Sequence, residues 1–266
     1  MKKLIALALA LVLACAVSLA AADTLRVGME CNYAPYNWTQ SEPGENAVAI
    51  AAGGYADGYD VRIAKIIADK LGMELEIVKT EWDGLPMGVM SGKLDAVIAG
   101  MSPTEERKVT LDFTDNYYES QLVIVVRADS AYAEAKTLDD FAGAKLTGQL
   151  NTFHYAVLSQ ADKATVVTAM ETFPAMIVAL KAGSIDGYVS ELPGAVSAVA
   201  SNPELTYVQF AEGEGFETST DDTAIAVAVA KGSPLRDQIN AILATISEEK
   251  REELMQWAVD NQPLSE

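Results

Sequence analysis

From residue 25 onward, short apolar runs alternate with amphipathic runs that stop at glycine, and this alternation confines the chain to the α/β class. Residues 25–28 read as a strand. Asp60 is placed to cap a helix whose apolar positions Val61, Ala64, Ala68 and Leu71 recur at helical spacing, and Gly72 stops it. Residues 74–79 alternate as a strand does, a short helix over 85–91 ends at Gly92, and 95–99 read as a short buried strand. Residues 39–59 interrupt this order as a long, polar, glycine-rich insertion. After a strand over 121–127 the alternation resumes, with strands at 145–150, 164–169, 185–190 and 205–210 and helices at 152–160, 173–182 and 193–200. The uncharged run 223–230 predicts a strand leading into a helical tail that opens with Ser233, Pro234 and Asp237. Two α/β lobes account for this order. Residues 23–116 form the first part of lobe 1, 122–220 form lobe 2, and 226–266 return to lobe 1, with extended connections near 117–121 and 221–225.

The first 22 residues stand apart. Met1-Lys-Lys, an apolar run from Leu4 to about Ala20 and the small residues Ala20-Ala21-Ala22 read as a secretory signal peptide. No later run reaches the roughly 20 apolar residues of a transmembrane helix. The expectation is a soluble protein outside the cytoplasm, in the periplasm or its equivalent. Val12-Leu-Ala-Cys15 is an imperfect lipobox. The apolar residues after Cys15, where a polar tether belongs, make a lipid anchor there the lesser alternative. Cleavage after Ala22 leaves Cys31 as the sole cysteine and no internal disulfide.

The 266 residues carry 38 acidic and 19 basic side chains, a formal charge of −19. That sign argues against nucleic acid and anionic membranes as partners and is compatible with a cationic ligand.

The run Gly100-Met-Ser-Pro-Thr-Glu-Glu-Arg107 carries the sharpest chemistry. Ser102 is a candidate N-cap, Pro103 suits the first helical position, and Glu105 completes a capping box. A helix start presents unpaired N–H groups and a positive dipole end to a small anion. Arg107 adds a planar fork that grips a carboxylate with two hydrogen bonds.

Six segments, in this order, carry a resemblance: Val27-Gly-Met-Glu-Cys-Asn-Tyr-Ala-Pro-Tyr36, Gly58-Tyr-Asp-Val61, Trp82-Asp-Gly-Leu85, Gly92-Lys-Leu-Asp-Ala96, the arginine run just described, and Asp112-Phe-Thr-Asp-Asn-Tyr-Tyr118. Over essentially the whole mature chain the sequence resembles the periplasmic substrate-binding proteins of polar amino-acid ABC transporters, nearest to lysine- and arginine-type binders. The resemblance implies a two-lobed type II periplasmic-binding-protein fold, two crossing hinge strands, and an amino acid in the interlobe cleft. It implies a monomer that delivers its ligand to a membrane permease, without metal or other cofactor. Arg107 then matches the carboxylate-binding arginine, and Gly100 and Ser102 match positions touching the ligand's main-chain atoms. Gln149-Leu-Asn-Thr152 matches a carboxylate-contacting turn, with Thr152 as donor and Asn151 where glycine is usual. Glu191 matches the acid that meets the α-ammonium, although aspartate is more usual there. Tyr33 and Trp82 match an aromatic pair that sandwiches the ligand side chain, and Glu30 matches a position that is acidic in binders of basic amino acids.

A carboxylate beside two aromatic faces seats a cation, so arginine or lysine is the expected ligand, with arginine ahead because Gln149 offers one more hydrogen bond. Glutamine, histidine, cystine or an opine in the same role are the alternatives. Secreted dehydratases and peptidoglycan lyases of this fold and the sensor domain of a receptor are the rivals of another class. His154, the single histidine, is expected to be an ordinary helix residue, Cys31 an inert small hydrophobe, and Glu42, Glu45 and Asp57 are spaced like no calcium loop.

Overall fold

A computed structural model describes residues 23–263; residues 1–22, the expected signal peptide with Cys15, lie outside the described residues. Two five-stranded sheets and one small sheet organise the chain. In the first, Thr24–Met29 (β1) lies parallel between Glu74–Lys79 (β6) and Ala96–Val97 (β7). Ala224–Ala230 (β14) then pairs antiparallel with β7 and with Leu111–Glu119 (β8). Covered on both faces, β1 buries Leu25, Val27 and Met29 completely, and such burial is worth roughly 1.5–3 kcal/mol for each large apolar side chain. The second sheet has the order Thr165–Val166 (β11), Lys145–Thr147 (β10), Gly187–Glu191 (β12), Leu122–Arg127 (β9), Leu205–Val208 (β13). The chain leaves the first sheet after Glu119 and re-enters it at Ala224, and the two crossings touch where Ser120 N–H donates to the Thr223 carbonyl.

The expected insertion at 39–59 is itself a sheet. Asn37–Gln40 (β3) and Tyr55–Asp57 (β5) pair, with Asn32–Tyr33 (β2) and Val48–Ala49 (β4) at the edges. Strands of two to four residues carry too little alternation to be seen in a polar sequence. Trp38 from β3 stacks on Trp257, and the Arg62 guanidinium lies 3.0 Å above the same indole, so the small sheet is clamped to the C-terminal helix Glu248–Asn261 (α9).

The remaining helices cover the sheets: Tyr59–Leu71 (α1), Gly84–Met90 (α2), the single turn Glu105–Lys108 (α3), Phe153–Ala156 (α4), Phe173–Lys181 (α5), Leu192–Ser201 (α6), Thr220–Thr223 (α7) and Leu235–Leu243 (α8). Gly72 ends α1 in the left-handed conformation, as expected. The start of α1 differs from expectation. Gly58 holds the N-cap position at φ 127°, where a Cβ would sit 2.4 Å from the Tyr36 carbonyl. Asp60 is in the first turn and is fully buried. Instead of capping, it accepts from Asn37 Nδ2 (2.8 Å) and from the Tyr117 hydroxyl (2.7 Å), which in turn accepts from Gly100 N–H (3.3 Å). Burial raises the Asp60 carboxyl to about 6 although both donors oppose the rise.

Asp60 thereby ties α1, β3 and β8 to the Gly100 turn. Asp60→Asn leaves one carbonyl acceptor where the Asn37 amide and the Tyr117 hydroxyl both donate, so one of the two donors loses its partner. The expected result is a loss of about 1–3 kcal/mol, read as a lower urea midpoint at pH 7; an unchanged midpoint would show that the network carries no stability.

Candidate functional site

The ends of β1, β7, β10 and β12 meet where the two large sheets face each other. On the first side, the chain after β7 turns at Gly100, φ 62°, and a Cβ there would lie 3.1 Å from Tyr33 Cε1. The capping expected at Ser102 is shifted by two residues. Thr104 is the N-cap of α3 and its Oγ1 accepts from Arg107 N–H (3.4 Å). The Ser102 hydroxyl donates instead to the Asp222 carbonyl (2.9 Å), a contact 120 residues away that outcompetes the local one. Arg107 Nη1 donates to the Ser102 carbonyl (2.9 Å), Nη2 reaches the Asn151 carbonyl (3.5 Å), and the guanidinium stands 5.1 Å from the Trp82 ring centroid. Burial lowers the Arg107 pKa to about 10, still well above neutrality.

Glu30 follows β1 directly and is 3% exposed. Gln149, beyond the end of β10, donates from Nε2 to Glu30 Oε1 (3.0 Å) and to the Glu171 carbonyl (3.0 Å). Burial pushes the Glu30 carboxyl up to about 7, more than the Gln149 hydrogen bond holds it down. A cation brought beside a carboxyl poised at neutrality favours its ionised form, and the proton leaves to solvent.

Glu191 ends β12, stands at the N-cap of α6 and is 3% exposed. Its Oε1 lies 2.9 Å from His154 Nε2, and its Oε2 accepts from the Tyr33 hydroxyl. Burial works against the charged form of Glu191, but the histidine and the two hydrogen bonds prevail and its pKa is lowered.

The structure therefore brings together Glu30 with Gln149, Arg107 with Trp82 and Ser102, and Tyr33 with Glu191 and Gly100. Tyr33 and Trp82 do not face each other: Tyr33 stacks on Phe173 (centroids 4.1 Å apart, 11° between planes), and Trp82 Nε1 donates to the Asn151 carbonyl (3.2 Å). The Thr152 hydroxyl donates to the Gln149 carbonyl (2.7 Å), closing the turn from within. Asn151 does adopt the left-handed conformation, φ 55°, and its amide reaches Asp83 Oδ1 (2.9 Å). Sequence reasoning missed His154 and Phe173. The only local signal for His154 is its place two residues beyond Thr152, at the same helix start. A cavity of about 550 Å³ opens beside Tyr33, Phe173 and Tyr188. Among the described residues no group of three or more His, Cys, Asp or Glu side chains is arranged to hold a metal ion.

Comparison with known proteins shows the family and the fold. The sequence profile of the bacterial extracellular solute-binding proteins, family 3, matches residues 25–257. A Campylobacter jejuni protein named "Probable histidine-binding protein" is 32% identical over 74% of this chain and 72% of its own length. ABC transporter arginine-binding protein 1 of Escherichia coli is 26% identical over 85% of this chain and 86% of its own. Among solved structures, an amino acid ABC transporter substrate-binding protein from Streptococcus pneumoniae bound to L-arginine superposes with a TM-score of 0.77 at 26% identity, covering 89% and 94% of the two chains. A mutant of ArgBP from T. maritima superposes at 0.73 with 30% identity over 90% and 96%.

Because Gly100 combines positive φ with a close approach to Tyr33, Gly100→Ala is expected to cost about 1–2 kcal/mol from the backbone alone and to displace the tyrosine ring. A drop in thermal midpoint of a few degrees checks this; an unchanged midpoint would contradict the strain argument.

Proposed function

This chain belongs to family 3 of the bacterial extracellular solute-binding proteins, and on that premise we propose that it captures a cationic amino acid, arginine or lysine, and delivers it to an ABC importer. It is a binding protein and not an enzyme. One observation carries the choice of ligand: the buried acid Glu30 and the half-buried cation Arg107 both reach across the cleft to the turn at 149–151, Glu30 at Gln149 and Arg107 at Asn151. A buried charge without a partner costs several kcal/mol, so the ligand must bring charges opposite to these. In this reading the α-carboxylate meets Arg107, with Gly100, Ser102 and the turn at Gln149 and Thr152 around it. The α-ammonium meets Glu191. The side-chain cation meets Glu30, flanked by Tyr33 and Trp82. Gln149 Oε1 gives a guanidinium one more acceptor than an ammonium needs, which favours arginine.

Release of the contacts between the two sheets would open the cleft by bending at 117–121 and 221–225. Ligand binding favours closure only by the contacts added in the closed form. Residues 1–22 act as the export signal, and the mature protein works outside the cytoplasm as a monomer that docks on the permease.

A second reading rests on Glu30 as well. With its proton on, Glu30 is a neutral donor and acceptor and fits the side-chain amide of glutamine. An ancestral arginine-binding protein, 30% identical to this chain, has been solved bound to glutamine. Calorimetric titration of ligand-stripped residues 23–266 with the twenty amino acids separates the two. The expectation is tight L-arginine binding, abolished by Arg107→Ala and weakened at least tenfold by Glu30→Gln, about 1.4 kcal/mol. Tighter binding of glutamine than of arginine would establish the second reading, and no amino-acid binding would end both.

The pH dependence has a defined sign. In the free protein Glu30 holds its proton up to about pH 7. A ligand cation favours the carboxylate, so binding expels that proton, and arginine affinity should rise as pH increases from 6 to 8. The rise is at most tenfold per pH unit and is absent in Glu30→Gln. Affinity that falls over this range would contradict the assignment.

A further inference from the structure

The reading just given sends the ligand's α-ammonium to Glu191, yet in this structure both oxygens of that carboxylate already have partners. Oε1 faces His154 Nε2 at 2.9 Å, and Oε2 accepts from the Tyr33 hydroxyl. The tyrosine contact crosses the cleft, and the histidine contact stays on one side of it. Tyr33 comes from the small sheet beside β1, whereas His154 lies in α4 and Glu191 at the end of β12. The fit is tight: a Cβ at Gly194, in the first turn of α6, would stand 3.3 Å from Tyr33 Cε2.

His154 is built for this one contact. It is 8% exposed, and its ring meets Phe173 edge to face at 5.8 Å. Among the described residues Nδ1 is buried without a hydrogen-bond partner, and Nε2 makes the ring's one polar contact. Phe173 also stacks on Tyr33, so a single aromatic side chain braces both groups that hold Glu191. A histidine N–H and a ligand ammonium are interchangeable partners for a buried carboxylate, because each supplies a charge-assisted donor.

We propose that His154 is an internal competitor of the ligand's α-ammonium for Glu191, and so determines affinity for amino acids through that one group. This rests on the binding reading above. With Tyr33 and Glu191 in contact across the cleft, His154 and Tyr33 satisfy both oxygens of that carboxylate. An incoming amino acid must displace the imidazole from Oε1 or share the oxygen with it. This competition weakens α-amino ligands. It does not act on a ligand that has the carboxylate and the side chain but lacks the amino group.

Two measurements test this. The first compares L-arginine with 5-guanidinopentanoate, which is arginine without its α-amino group, on the wild type, His154→Leu and His154→Gln. His154→Leu keeps apolar bulk against Phe173 and removes the donor; His154→Gln keeps a donor. The expected result is L-arginine binding about fivefold or more tighter in His154→Leu, with a smaller gain in His154→Gln and no change for 5-guanidinopentanoate. Weaker L-arginine binding in His154→Leu would overturn the proposal, because His154 would then be holding Glu191 in place for the ligand. Equal changes for both compounds would also overturn it. The second measurement needs no ligand: a double-mutant cycle of urea stability with His154→Leu and Glu191→Gln in the stripped protein. Non-additive losses support the competitor role, and additive losses overturn it. If the wild type binds no amino acid, the binding reading fails, while the cycle still decides whether His154 satisfies Glu191.

Discussion

Removing charge from water is the constraint on which the cleft depends. Glu30, Arg107, Glu191 and Asp60 all stand where solvent is scarce, and burial alone would drive each toward its neutral form. The four answer this differently. Asp60 is satisfied inside one half of the molecule by Asn37 and Tyr117, and so serves as a fixed strut. Glu191 is satisfied by His154 from its own side and by Tyr33 from across the cleft. Arg107 is satisfied mostly by backbone carbonyls. Glu30 has only the amide of Gln149, and its carboxyl is pushed to about 7. The least compensated charge marks the side-chain end of the site, and for that reason the choice of a cationic ligand rests on Glu30.

The fold delivers these groups from few positions. Strand ends and helix starts converge from both large sheets: Glu30 after β1, Gly100 after β7, Gln149 after β10 and Glu191 at the end of β12. Open α/β sheets gather ligands at the carboxyl ends of their strands because side chains and unpaired helix N–H groups meet there. The small antiparallel sheet adds Tyr33 to this set. Its attachment through Trp38, Trp257 and Arg62 fixes the position of Tyr33 against Gly100 on one side and Gly194 on the other. Glycine at both places is a packing requirement of the same tyrosine.

Much of this is legible in the sequence. The alternation of elements gives the α/β architecture, Gly72 ends its helix as expected, and an asparagine where the resembled family has glycine suits the left-handed backbone found at Asn151. Local rules fail where a distant partner outbids a near one. Ser102 has the residue type, the proline and the glutamate of a capping box, but its hydroxyl goes to the Asp222 carbonyl and the cap passes to Thr104. Asp60 has the position of a cap and is consumed by Asn37 and Tyr117. His154 lies 37 positions from Glu191, and Tyr33 lies 158. No periodicity encodes such a meeting, and only the packing of α4 and β2 against the end of β12 reveals it.

The central claim is that the two ends of the cleft hold opposite charges of one amino acid. A crystal structure of the protein grown with L-arginine tests it most directly. The account predicts the ligand carboxylate in hydrogen-bond contact with the Arg107 guanidinium and the ligand guanidinium against Glu30. A reversed ligand, or a side chain that leaves Glu30 to Gln149 alone, would contradict it.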